Sequence, residues 1–230
     1  MMSGKDFLTV ERQRGDCFKL FAACFYPPKR SLFLEEEVLE NLSRLLEAVC
    51  PEAALHAKGM ARTLEQAADV ELAVAHAKLF VGPFKLQAPP YGSLYLESQK
   101  RLMGDSTMEV LRMYQRAGLD LSSDFLDAPD HIAAELEFMY FLIARELQAL
   151  RTGDREKAFG YLEMQREFHD KYLRPWIEPF VDRIRTASEH EFDTLLAMSL
   201  STFIAKTPVP GTLPERADTL GTKYGAKNRA

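Results

Sequence analysis

The sequence predicts an all-α protein, a single multi-helix bundle that divides at most into two closely packed helical halves. Three observations carry this reading. Nearly every periodic segment repeats its apolar residues at about 3.6 positions, and no convincing alternating strand appears. The periodic segments stop at helix breakers: Pro27-Pro28, Pro51, Gly82-Pro83 and Gly118. And the stretch 127–147, DAPDHIAAELEFMYFLIAREL, is apolar around most of its circumference, as a helix buried among other helices should be.

Taken in order, the first helix is expected over 5–25, with Phe18, Phe21, Ala22 and Phe25 on its apolar side. A second carries Phe33 through Val49, with Glu35, Glu36 and Glu37 at its solvated start, where the helix dipole favours them. A third opens on a capping box, Thr63 with Gln66, and runs to Val81. The segment 83–97, PFKLQAPPYGSLYLE, is too rich in proline and glycine to be helical throughout. Ser106 with Glu109 marks the next helix, ending at Gly118. The central helix then begins with Asp127 as N-cap and Pro129 in its first turn. A helix through Phe159, Leu162, Phe168 and Tyr172 follows the turn at Gly153-Asp154, and Pro175 starts a short one carrying Trp176, Ile177, Phe180 and Ile184. Ser188 with Glu191 marks the last helix. Residues 1–206 thus read as one helical domain with a hinge near 118–128, and 207–230 as a flexible tail.

Composition excludes several classes. With 47% hydrophobic and 27% charged residues the chain of 230 is an ordinary globular one. A net charge of −5 argues against nucleic acid as a partner. No stretch is long and apolar enough for a signal peptide or membrane insertion, so a cytoplasmic location is expected. The three cysteines, Cys17, Cys24 and Cys50, form no CxxC pair and read as buried free thiols in a reducing compartment. HExxH, GxSxG and phosphate-loop motifs are absent, and no Glu-x-x-His pair supports a di-iron bundle.

One cluster calls for more than packing. Asp130, His131 and Glu135 stand at the start of the buried central helix, His131 and Glu135 on one side of it. Two readings fit: capping and surface groups without further role, or a helical metal-dependent enzyme using Asp130, His131 and Glu135 as ligands or acid–base groups.

Three blocks, LFVGPFKLQAPPYGSLYLE (79–97), APDHIAAELEFM (128–139) and FHDKYLRPWIEPF (168–180), resemble in order and separation the TorD/DmsD family of redox-enzyme maturation chaperones. The likeness extends over most of 7–205; where some relatives carry tryptophan after the second loop proline, this chain has Tyr91. The resemblance implies a non-enzymatic cytoplasmic chaperone without cofactor. Its partner would be an apo-molybdopterin oxidoreductase, bound through the twin-arginine signal peptide until cofactor insertion precedes export. It implies a helix-in-groove site made by Pro90, Tyr91, Tyr95 and Glu97 facing Asp130 and His131, with Asp130 or Glu97 pairing with signal arginines. A monomer and a domain-swapped dimer are both compatible with the sequence.

Overall fold

The structure, a computed structural model, describes residues 4–82, 86–119 and 127–214. The expected fold class is what forms: among the described residues there are eleven α-helices and no strand beyond one isolated bridge. In chain order they are α1 Gly4–Cys24, α2 Arg30–Glu35, α3 Val38–Val49, α4 Pro51–Gln66, α5 Asp69–His76, α6 Ser93–Leu96, α7 Asp105–Arg116, α8 Ile132–Arg151, α9 Arg155–Phe168, α10 Arg174–Ala187 and α11 Glu191–Lys206. Two π turns extend this set, Ala77–Val81 after α5 and His169–Leu173 between α9 and α10.

The apolar stripes decide the packing. α1 lies on α8 and α8 on α9, while α3, α4, α11 and α10 pack in that succession. α1 also meets α3, so both groups share one core. Phe203 of α11 joins them, its ring 5.0 Å from Phe18 and 5.3 Å from Phe21. Such pairs add about 0.5–1.5 kcal/mol beyond the area they bury. All three cysteines are free and buried, and burial raises each thiol above its ordinary pKa. Where α1, α8 and α9 converge, Arg14 pairs with Glu11 and donates to Gln165, whose amide donates to Glu146. One guanidinium there serves two buried carboxyls, and burial first, with Glu11's charge second, pushes Glu146 up to about 7.

Several boundaries differ from the sequence expectation, each for a local reason. The Glu35–Glu37 run is a break rather than a helix start: α2 ends at Glu35, Glu37 takes a left-handed φ of 49°, and α3 begins at Val38. Thr63 and Gln66 close α4 instead of opening a helix; Thr63 Oγ1 donates back to Gly59 O. α5 is capped by Glu71, which accepts from Ala68 N. Ser188 stands outside α11, whose N-cap is His190 accepting from Phe192 N. α9, the second π turn and α10 run on without a break from 155 to 187. Pro175 explains the π turn: lacking an N–H, it makes no α-type bond to Lys171 O, and the bond of Arg174 reaches back five residues to His169 O.

The tail from Thr207 is not loose over its described part. Thr207 is buried, Val209 and Leu213 pack on the core, and Arg166 and Arg155 donate to Pro210 O and Pro214 O. Residues 215–230, and most of the expected hinge at 118–128, lie outside the described residues.

Candidate functional site

The central helix starts later than its sequence announces, and the reason builds the site. α8 begins at Ile132 because 127–131 are drawn across to the segment 89–97. Ile132 N donates to Pro90 O at 2.8 Å, Gly92 N donates to Asp130 O at 2.9 Å, and Tyr91 and His131 form the isolated antiparallel bridge. Asp127 therefore does not cap α8; His131 does, its Nδ1 accepting from Ala133 N at 3.2 Å. Asp130 instead serves the other side of the seam. Its Oδ2 accepts from Ser93 N at 2.7 Å and so caps α6.

Each side chain at the seam has a defined environment. Tyr91 is half-buried, edge-on to His131 with ring centres 5.4 Å apart, and its hydroxyl donates to Asp127 at 3.0 Å. Tyr95 stacks on Trp176 at 5.5 Å, lies under the Arg183 guanidinium at 5.2 Å, and donates to Pro89 O. Burial lowers the His131 pKa against the pull of Asp127 and Asp130, so the ring is held neutral with Nδ1 as acceptor.

Below this rim lies Glu135, fully buried, its Oε2 accepting from Trp176 Nε1 at 3.0 Å. Burial, reinforced by the charge of Asp130, raises its pKa well above the ordinary carboxyl value. Three buried oxygens here, Asp130 Oδ1, Glu135 Oε1 and Ser93 Oγ, have no hydrogen-bond partner among the described residues.

Of the six residues singled out from the sequence, five meet here: Pro90, Tyr91, Tyr95, Asp130 and His131. Glu97 stands apart from them in role. Its Oε1 accepts from Ser106 N at 2.8 Å and from Ser106 Oγ, capping α7, and these bonds lower its pKa. Gly104 leaves room for this carboxylate: a Cβ there would stand 2.1 Å from Glu97 Oε2 and would have to displace it from Ser106. The Ser106–Glu109 capping box is thus replaced by a carboxylate from the preceding segment. Sequence reasoning missed Trp176 as a partner of the cluster and missed Asp127 and Glu137 at its rim. The separation of 41 residues between Glu135 and Trp176 leaves no local signal.

The metal-enzyme alternative finds no geometry. Asp130, His131 and Glu135 each have an atom engaged by a backbone or indole N–H, and the described residues contain no group of three or more His, Cys, Asp or Glu placed to hold a metal ion. Elsewhere, an open groove of about 790 Å³ passes Arg116, Met164, Glu167 and Lys171, but its charges pair with one another, as in Arg116–Glu167 at 3.0 Å. No helix among the described residues is long and apolar enough to cross a membrane.

Comparison with known proteins agrees with the resemblance read from the sequence. Residues 34–182 match the family model described as nitrate reductase delta subunit. The chain is 30% identical over 127 residues to the chaperone protein TorD of Photobacterium profundum, covering 55% of this chain and 57% of that one. It is 31% identical over 146 residues to the Tat proofreading chaperone DmsD of Salmonella typhi, covering 64% and 61%. The matched region thus spans about three-fifths of these relatives' own length, and both are named as chaperones, not as enzymes. A crystal structure from Archaeoglobus fulgidus, named for redox enzyme maturation, shares the fold with a TM-score of 0.53 over 85% of this chain and 94% of its own, at 22% identity. The chain belongs to the nitrate reductase delta subunit family, the family of the TorD and DmsD chaperones.

Proposed function

We propose that this protein is a cytoplasmic chaperone that binds the twin-arginine signal peptide of an apo-molybdopterin oxidoreductase and delays export until its cofactor is inserted. The observation that supports this most is the seam itself: an irregular aromatic segment, 89–97, hydrogen-bonded onto the start of a buried helix. It presents half-buried Tyr91, Leu94 and Tyr95 beside the exposed carboxylate of Asp127. A twin-arginine signal has a basic end and an apolar stretch that becomes helical in a groove, so aromatic contact beside negative charge is the pattern it needs. Pro90 and Asp130 act from below: Pro90 O fixes Ile132, and Asp130 fixes Ser93, so both hold the aromatic segment in place. Glu97 acts one step further away, by fixing α7. The relatives' names, a TorD chaperone and a Tat proofreading chaperone, agree with this reading.

The test is calorimetry of the full chain with a synthetic twin-arginine signal peptide, next to Asp130→Asn. Asparagine retains an acceptor for Ser93 N but carries no charge, so the variant should melt as the wild type does while losing the negative charge behind Tyr91 and binding the basic peptide more weakly. Absence of binding by the wild-type chain would overturn the reading.

A further inference from the structure

Two surface carboxylates at the rim of the seam are each held by a tyrosine. Tyr91 Oη donates to Asp127 Oδ1, and Tyr26 Oη donates to Glu137 Oε1, both at 3.0 Å. The four residues come from four places in the chain: just beyond α1, the aromatic segment, the approach to α8, and its second turn. They form one neighbourhood nonetheless. The charge of Asp127 acts on the phenols of both Tyr26 and Tyr91 and on the imidazole of His131.

Asp127 and Glu137 are exposed, yet among the described residues neither meets a lysine or arginine. A second, independent observation lies behind the rim. Asp130 is 1% exposed, its Oδ1 accepts from no donor, and its charge also acts on Tyr91. A carboxylate in so poorly screened a position adds to the field at the rim more than a solvated one would. Three carboxylates therefore act on two phenol rings and an imidazole, and among the described residues no lysine or arginine pairs with them.

The chemistry that does so is a guanidinium. It is planar, offers N–H groups in a fork that matches a carboxylate, and stacks on aromatic faces; an ammonium does the first and last of these less well. Each tyrosine hydroxyl takes one carboxylate oxygen and so pre-orients the other. We propose that Tyr26, Tyr91, Asp127 and Glu137 form an arginine-reading surface that takes a guanidinium from the basic end of the signal peptide. This rests on the signal-peptide reading above and moves the recognition of charge from Asp130 and Glu97 to residues at the surface.

The experiment titrates the full chain with two synthetic peptides, one carrying Arg-Arg ahead of a leucine-rich stretch and one carrying Lys-Lys. The wild type should bind the Arg-Arg peptide more tightly. Asp127→Asn combined with Glu137→Gln should lose about ten- to a hundredfold in affinity for it, the size of a lost charge-assisted bond, and should no longer distinguish the two peptides. Tyr26→Phe, which removes one hydroxyl and no charge, should narrow the discrimination while leaving the melting temperature in place. Unchanged affinity and unchanged discrimination in the folded double variant would overturn this surface and leave the signal-peptide reading standing. Failure of the wild type to bind either peptide would overturn both.

Discussion

Replacing Glu135 with glutamine should make the protein more stable, and increasingly so as pH rises. Glutamine keeps an oxygen for Trp176 Nε1 and nearly the same volume, but it cannot ionise. In the unfolded chain the Glu135 carboxyl titrates near its ordinary value of 4.5, whereas burial keeps it protonated in the fold to well above that. Below that value both states hold the proton and pH has no hold on stability. Above it the unfolded chain has released its proton and the folded one has not, so stability falls until the buried carboxyl ionises. The slope is about 1.4 kcal/mol per pH unit. While the buried carboxyl keeps its proton, the advantage of Glu135→Gln over wild type should therefore widen by about 1.4 kcal/mol per pH unit, or about 3–6 °C in Tm for a chain of this size. Asp193, raised to about 6, and Glu146, raised to about 7, tilt the curve the same way but are present in both proteins and cancel in the difference. Urea unfolding followed by tryptophan fluorescence reads this directly, because Trp176 is the only tryptophan and touches the residue in question. A stability difference that stays flat across pH 5–8 would refute the buried neutral carboxyl.

Two further outcomes test the supports of the site. Gly104→Ala should lower Tm by displacing the Glu97 carboxylate from the start of α7, and should lower it much less in a Glu97→Ala background, since the cap is then already gone; equal effects in both backgrounds would show that Glu97 does not cap that helix. Ending the chain after Lys206 should cost about 1–3 kcal/mol relative to ending it after Pro214, by uncovering Val209 and Leu213 and releasing Arg155 and Arg166; equal urea midpoints for the two truncated chains would show that 207–214 does not support the body.

The fold was legible in the sequence because helix periodicity is a local property that the core then uses. Phe18 and Phe21, or Leu196, Leu200 and Phe203, fall on buried faces as their spacing requires. Some helix starts were legible, as where the Gly153-Asp154 turn leads into α9 and Asp154 caps it, but those assigned from a capping box or from Asp127 were not, and the reason is the same each time. A capping box is only a spacing of three, and any nearby acceptor can replace it. Glu97 caps the helix that Ser106 appeared to start, Glu71 caps the one assigned to Thr63, and His131 replaces Asp127. At the site, the proximity of Tyr91 to Asp130 and His131 came from resemblance between whole blocks. What residues alone could not convey was which carboxylate faces solvent. Asp127 and Asp130 both read as carboxylates at the start of the central helix, yet Asp127 is exposed and Asp130 is buried, and only the pairing of Ile132 with Pro90 separates the two.

The π turn at His169–Leu173 bears on how Trp176 reaches Glu135. A π turn holds one more residue than the α-helical turn it replaces, and each residue of an α-helix advances the azimuth by about 100°. Everything after Leu173 is therefore rotated by that amount relative to α9, while α9 itself stays in register with α8. Without the extra residue, α10 would turn the indole away from the carboxyl, and the stacking partner of Tyr95 would go with it. The aromatic floor of the site thus depends on a phase shift in a long helix, introduced just ahead of Pro175, whose missing N–H leaves the wider turn in place.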